Sequence, residues 1–247
     1  MKLHFLGTTG YHPNRRRDTS CLMIPELGIV LDAGTGIFRA RELIATPELH
    51  IFLSHIHLDH CVGLTYLLDV LRDKPVKATY VYCAPEQELI LKEGLFHPKI
   101  FPVLPPVKFK TLRHGNLAIP GGGKMRTFPL PHPGGCTGFR LEWPGHSMAY
   151  VTDTTASANA PYLKHLKDVD LLVHECYFPD GFEDRAQLTG HSCLTAVAQL
   201  AAAAQVKRLY LTHINPMDEG KKPLELKSVA KIYPHITVPE DDDTVDF

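Results

Sequence analysis

The chain has 247 residues, 44% of them apolar, and 26 basic against 27 acidic side chains give a formal charge of −1. That size and apolar share suit one compact unit with a sizeable core, and the balanced charge excludes a protein that grips nucleic acid through an overall positive field. Six cysteines without a Cys-x-x-Cys pair read as reduced thiols, and neither a signal-like nor a membrane-length apolar run is present, so the expectation is a cytoplasmic protein with no membrane partner.

In chain order, runs rich in β-branched and aliphatic residues mark strands near Leu3 to Leu6, Cys21 to Ile24, Ile29 to Asp32, His50 to Leu53 and Thr79 to Tyr82. Helical apolar spacing appears over Ile37 to Ala45 and Val62 to Leu71, and Pro85 opens a further helix over Glu86 to Leu95. The stretch from Leu95 to Pro106 holds four prolines with Phe96 and Phe101. It reads as a packed loop, either closing the surface or acting as a substrate lid.

From Val107 to Val151, strands interrupted at His114-Gly115-Asn116, Gly121-Gly122-Gly123 and Pro144-Gly145 predict antiparallel hairpins. Alternation then resumes with a strand over Asp170 to Val173, an alanine-rich helix over Ser192 to Ala204 and a strand over Arg208 to Thr212. The acidic run Glu240 to Asp243 reads as a solvated terminus.

Fifteen histidines are the outlier of the composition, and they cluster. After the strand ending at Leu53 comes Ser54-His55-Ile56-His57-Leu58-Asp59-His60, leading into a helix that starts near Cys61. Histidines at i and i+2 of an extended segment point to one side, and Asp59 with His60 can face a second ion as the chain turns. Imidazole and carboxylate donors suit Zn²⁺ first, with Mn²⁺ or Fe²⁺ as alternatives.

This segment resembles the His-x-His-x-Asp-His signature of the metallo-β-lactamase superfamily. The resemblance implies an α/β, four-layer αββα sandwich: two stacked mixed β-sheets flanked by helices, formed by residues 1–247 as a single hydrolase domain. It also implies two divalent metal ions. His55, His57 and His132 would hold one, Asp59, His60 and His213 the other, with Asp153 bridging; His132 stands in PLPHPGG, Asp153 in YVTDTT and His213 in LYLTHINP. Histidine rather than glutamate at His57 favours hydrolysis over the redox-active di-iron branch. Asp59 and His60 together are similar to the ribonuclease Z, glyoxalase II and lactonase branches rather than to true β-lactamases.

Three further features resemble the ribonuclease Z and phosphodiesterase branch. Gly190-His191-Ser192-Cys193 is similar to its histidine-serine-threonine motif, His174-Glu175-Cys176-Tyr177-Phe178 to its His-Glu-Ala-Thr-Phe motif, and Pro13 to Asp18 to its Pro-x-Lys-x-Arg-Asn loop. The long arm by which that branch grips tRNA is absent between GFRLEW and YVTDTT.

The expected function is therefore a dinuclear metal-dependent phosphodiesterase acting on small phosphodiesters or RNA 3′ ends through a metal-bridging hydroxide. His191 would donate the proton to the leaving alkoxide, Glu175 would orient it, and Asp59 would accept a proton from water. A thioester or lactone hydrolase of the same fold is the alternative, and a non-catalytic metal- or nucleic-acid-binding module a second one. The bland roles for His191 and Glu175 are a helix cap and a surface carboxylate. The arginines Arg15, Arg16 and Arg17 are either solvated or phosphate ligands. The resemblance also carries the expectation of a homodimer.

Overall fold

The computed structural model describes residues 1–220 and 222–247. Its strands are, in chain order, β1 (Lys2–Gly7), β2 (Cys21–Ile24), β3 (Ile29–Leu31), β4 (Glu48–Phe52), β5 (Ala78–Cys83), β6 (Val107–Thr111), β7 (Gly115–Ile119), β8 (Gly123–Leu130), β9 (Cys136–Trp143), β10 (His146–Val151), β11 (Leu171–Glu175), β12 (Leu209–Thr212), β13 (Ile236–Thr237) and β14 (Thr244–Asp246). The α-helices are α1 (Ala40–Leu43), α2 (Leu58–Cys61), α3 (Leu67–Val70), α4 (Pro85–Ile90), α5 (Glu183–Thr189) and α6 (Leu194–Ala204). Contacts divide the chain into two compact units, Met1–Arg113 with Glu240–Asp246, and His114–Pro239 with Phe247. Among the described residues no helix is long and apolar enough to cross a membrane.

The first unit holds a seven-stranded sheet in the order β14-β1-β2-β3-β4-β5-β6. Its first three pairings are antiparallel and its last three, β3 with β4, β4 with β5 and β5 with β6, are parallel. The helix-facing side of this sheet presents Met23, Val30, Leu49, Ile51 and Val81 to Ile37, Leu64, Leu67 and Leu91. Each such aliphatic side chain contributes about 1.5–3 kcal/mol by leaving water.

The second unit repeats the pattern, with the order β13-β12-β11-β10-β9-β8-β7, parallel from β13 to β10 and antiparallel from β10 to β7. Val197, Leu200, Ala201 and Ala204 of α6 pack on Leu172, Leu209 and Leu211. The alanines of α6 let the helix lie close to the sheet. In both sheets the carboxyl ends of the parallel strands fall at one edge, where ligands of open α/β sheets bind.

Three expectations need correction. The break at His114-Gly115-Asn116 is not a hairpin: β6 pairs in parallel with β5, and β7 starts the second sheet. Local turn chemistry does not say which sheet the next strand joins. The helical spacing over residues 37–45 and 62–71 is realised as 3₁₀ turns running into α1 and α3, and α2 already begins at Leu58, inside the histidine motif. The loop after Leu95 needs no correction: Phe96 and Phe101 pack into the core, as in a packed loop, while Ile100, Val103 and Leu104 are exposed.

The third concerns the acidic run, which is not a solvated terminus. Arg16 donates to both carboxylate oxygens of Glu240 at 2.8 and 2.7 Å, and Asp241 accepts from Thr8 Oγ1 at 2.7 Å and from the Asp18 amide at 2.6 Å. Asp242 pairs with Arg39, and β14 then adds to β1. Arg17 is buried, donating to Thr8 Oγ1 and lying 3.5 Å from Glu240. Arg16 and Arg17 are thus occupied by the chain's own carboxylates, and Arg15 is the exposed member of the trio.

Candidate metal centre

The first unit contributes four of the expected residues from one short segment. β4 ends at Phe52, a short irregular connection with bends at Ser54 and His57 carries His55 and His57, and α2 carries Asp59 and His60. His55 Nε2 and His57 Nδ1 lie 3.0 Å apart, and His60 Nε2 is 3.4 Å from Asp59 Oδ2. The segment therefore presents two donor pairs in succession.

Their orientation comes from Asp32, fully buried at the end of β3, which sequence reasoning assigned only to a strand. Asp32 Oδ2 accepts from His60 Nδ1 at 2.8 Å and from Ser54 Oγ at 2.9 Å, while its Oδ1 accepts the Ser54 amide at 2.7 Å. Ser54 Oγ also lies 3.0 Å from His55 Nδ1. A proton held on His60 Nδ1 by a carboxylate places the ligating lone pair on Nε2, the arrangement metal-binding histidines use. The Tyr11 amide donates to Asp59 Oδ2 at 2.7 Å, so the early loop helps to set that carboxylate.

The second unit contributes the other three from separate strand ends. His132 follows β8, Asp153 follows β10 and His213 follows β12 directly. Asp153 faces two histidines with different oxygens: Oδ2 is 3.6 Å from His132 Nε2 and Oδ1 is 3.3 Å from His213 Nε2. One carboxylate aimed at two imidazoles is the geometry a bridging ligand requires. His132 Nδ1 donates to the Gly190 carbonyl at 3.1 Å, which leaves the lone pair on Nε2 available to a metal.

Asp32, Asp153 and His213 share a backbone feature: all three have positive φ, at 59°, 40° and 54°. Non-glycine residues in this region are uncommon and concentrate at functional sites. The strands end by turning sharply at the residue whose side chain is used. No sequence pattern announces this, although Asp and His tolerate it better than branched residues.

Glu175 and His191 come together as expected, and their bland readings fail. Glu175 is fully buried at the end of β11; its Oε1 accepts from the Thr154 amide at 2.9 Å and His191 Nδ1 at 3.1 Å, and its Oε2 from the Tyr177 and Ser192 amides at 3.1 and 3.2 Å. Four N–H donors surround this carboxylate, and Glu175, His191 and His213 lie within metal-binding reach of one another. The N-cap of α6 is Cys193, not His191. The half-buried His191 ring stands 5.5 Å from that of His132 and 5.2 Å from that of His213.

The donor set fits divalent metals of the borderline class: imidazole nitrogens and carboxylate oxygens, most of them buried, with several histidine nitrogens already fixed by outer hydrogen bonds. All six cysteines are buried free thiols. Burial pushes Cys61 and Cys83 up to about 12 and Cys193 to about 11, and among the described residues no cysteine belongs to a group that could hold a metal.

Two mixed sheets with helices, and histidine and aspartate side chains at the carboxyl ends of their strands, define an α/β protein of the metallo-β-lactamase fold. A β-lactamase superfamily domain matches residues 28–214, and the chain belongs to that superfamily. The metallo-β-lactamase fold protein YhfI of Bacillus subtilis superposes with a TM-score of 0.80 at 18% identity, covering 99% of this chain and 98% of that one. Human tRNase Z, short form, gives 0.72 at 22% identity, covering 100% and 99%. Among curated relatives, ribonuclease Z of Natronomonas pharaonis is 24% identical over 309 aligned positions, covering 100% of this chain and 98% of the relative. That length against 247 residues here means that the relative carries inserted segments this chain lacks. The protein is a metal-dependent hydrolase.

Proposed function

We propose that the chain is a phosphodiesterase, a single hydrolase domain over residues 1–247 that works with a pair of divalent metals. In this reading His55, His57 and His132 hold one metal, Asp59, His60 and His213 the other, and Asp153 bridges; zinc is the first choice, with manganese or iron as alternatives. Bound there, the metals would supply Lewis acidity for the phosphoryl oxygens and lower the pKa of water to about 7. Asp153, with one oxygen toward His132 and the other toward His213, is the observation that carries the assignment of two ions.

The remaining work falls to protein groups. Asp59, held by the Tyr11 amide, accepts a proton from the attacking water. His191, anchored through Nδ1 on Glu175, presents Nε2 to the departing oxygen and protonates it; a placed general acid of this kind contributes about 10²–10⁴-fold. Glu175 holds that imidazole in the tautomer the transfer needs.

The substrate reading is a small phosphodiester or an RNA 3′ end. The charge of −1 and the inserted segments missing relative to the Natronomonas pharaonis enzyme argue against a grip on a whole tRNA through many phosphates. Arg16 and Arg17 are spent on Glu240 and Thr8, which leaves Arg15 as the phosphate-contact candidate of that loop. We place the protein in the cytoplasm and keep a homodimer as its assembly.

The deciding assay compares a 2′,3′-cyclic nucleotide with a thioester and a lactone, using zinc- or manganese-loaded protein, chelated controls and His191→Ala. Metal-dependent diester hydrolysis falling at least about tenfold in the variant supports the reading. Turnover of the thioester or lactone alone, indifferent to His191, would replace it with the rival hydrolase.

A further inference from the structure

Resting on that reading, we propose that Tyr177 is a positioning residue that sets the plane of the His191 imidazole for proton delivery to unactivated leaving groups. The hydrogen bond from His191 Nδ1 to Glu175 at 3.1 Å fixes a point on the ring. The plane of the ring is a further quantity, and packing against its face sets it.

Tyr177 supplies that packing. Its ring centroid lies 4.9 Å from that of His191, with the planes 21° from parallel, and 5.7 Å from that of His213. His191 and His213 are themselves 5.2 Å apart and 24° from parallel. The three rings lie against one another, and the near-parallel stack is the one between Tyr177 and the acid, the tyrosine being 45° from the plane of His213. Phe178 meets His191 edge-on at 6.4 Å and packs against the Tyr177 ring, 4.9 Å away. Stacked aromatic pairs have a preferred geometry in addition to their buried area.

The backbone of Tyr177 does a separate job, donating its amide to Glu175 Oε2 at 3.1 Å. Truncating the side chain therefore leaves the carboxylate platform intact and removes only the ring. The corresponding position of the resembling His-Glu-Ala-Thr-Phe motif is threonine, which has no ring to stack, so this constraint is a property of the present chain.

In the step concerned, the phosphorus–oxygen bond to the leaving alcohol breaks and its electron pair takes the proton from His191 Nε2. The nucleophilic oxygen comes from water, and the imidazole regains a proton from solvent. A ribose alkoxide needs this proton; a p-nitrophenolate leaves without it. A residue acting through His191 must therefore discriminate between the two leaving groups, which a residue that merely stabilises the fold cannot do.

The test measures kcat and KM of wild type, Tyr177→Ala, Tyr177→Phe, His191→Ala and the Tyr177→Ala/His191→Ala double variant. The substrates are a 2′,3′-cyclic nucleotide and bis(p-nitrophenyl) phosphate, with metal content and melting temperature measured alongside. Tyr177→Ala is expected to lower kcat on the cyclic nucleotide about tenfold, with KM and the aryl diester rate within about twofold of wild type. Tyr177→Phe restores the rate, and Tyr177→Ala has no further effect once His191 is gone. Equal losses on both diesters, or an additive double variant, would overturn the inference while leaving the phosphodiesterase reading intact. A wild-type protein that hydrolyses neither diester overturns that reading itself, and one that hydrolyses the aryl diester alone removes the role of the acid and with it that of Tyr177.

Discussion

Asp32 shows how a residue without a motif can govern a site. Its carboxylate receives His60 Nδ1 and both polar groups of Ser54, which in turn lies against His55 Nδ1. It thus orients one histidine of each proposed metal from a fully buried position. Replacing it with asparagine keeps the shape and tolerates the φ of 59°, but offers an amide where His60 needs an acceptor. Such outer-partner changes cost about 10–100-fold in metal affinity. Competition with a chromogenic chelator should show that loss in Asp32→Asn; an unchanged affinity would mean that His60 is held by something else.

The seven candidate positions could be named because residue type and local order mark them: the His55 to His60 segment is contiguous, and His132, Asp153 and His213 each follow an apolar strand. Asp32, Ser54 and the Gly190 carbonyl were not, because their role lies in which neighbour the fold brings to them. Arg16 and Arg17 were misjudged for the same reason, since their partner Glu240 is more than two hundred residues away.

At the scale of elements, the turn between α5 and α6 carries more chemistry than its length implies. α5 ends at Thr189, and Gly190 closes it in the left-handed region at φ 73°. Its carbonyl accepts His132 Nδ1, and a Cβ added there would lie 2.6 Å from Pro133 Cδ and 2.9 Å from His132 Nδ1. Glycine is thus required twice, for the backbone and for the close approach of a ligand's outer nitrogen. Gly190→Ala is expected to cost about 1–2 kcal/mol for the left-handed conformation alone and to push the His132 ring aside. Urea unfolding should register the first effect and metal titration the second, and a variant of wild-type stability and affinity would refute both. Hydrophobic periodicity found the elements themselves because burial of one face imposes it; the division of the 62–71 segment into a 3₁₀ turn and α3 was not in that pattern, nor was the close packing of Gly63 against the Ala33 and Gly34 carbonyls.

For the molecule as a whole, the acidic segment at 240–243 makes stability depend on pH in a direction opposite to that of an ordinary paired carboxylate. Burial raises the Asp241 carboxyl from 3.8 to about 6, against the lowering effects of its hydrogen bonds from Asp18 and Thr8 and of the Arg39 charge. The folded chain holds this proton to a higher pH than the unfolded chain does, so the contribution is complete below about pH 4 and is lost as pH rises through about 6. Its size is on the order of 3 kcal/mol. Asp241→Asn removes the titration while keeping an acceptor oxygen, so its unfolding midpoint should gain on that of wild type between about pH 4 and pH 7. Parallel pH curves would show that Asp241 titrates as an ordinary carboxyl.

The sequence by itself determined most of the strands and the superfamily and named the candidate donor residues, because burial of one face writes a period into the chain and metal chemistry restricts the donors to a few residue kinds. Only the tertiary structure decided that β6 and β7 belong to different sheets, that the acidic segment straps the early loop, that Asp32 orients the histidines and that Tyr177 stacks on His191. Strand pairing, ion pairing and ring stacking are long-range contacts, and a linear pattern records which groups are available for them without recording which ones meet.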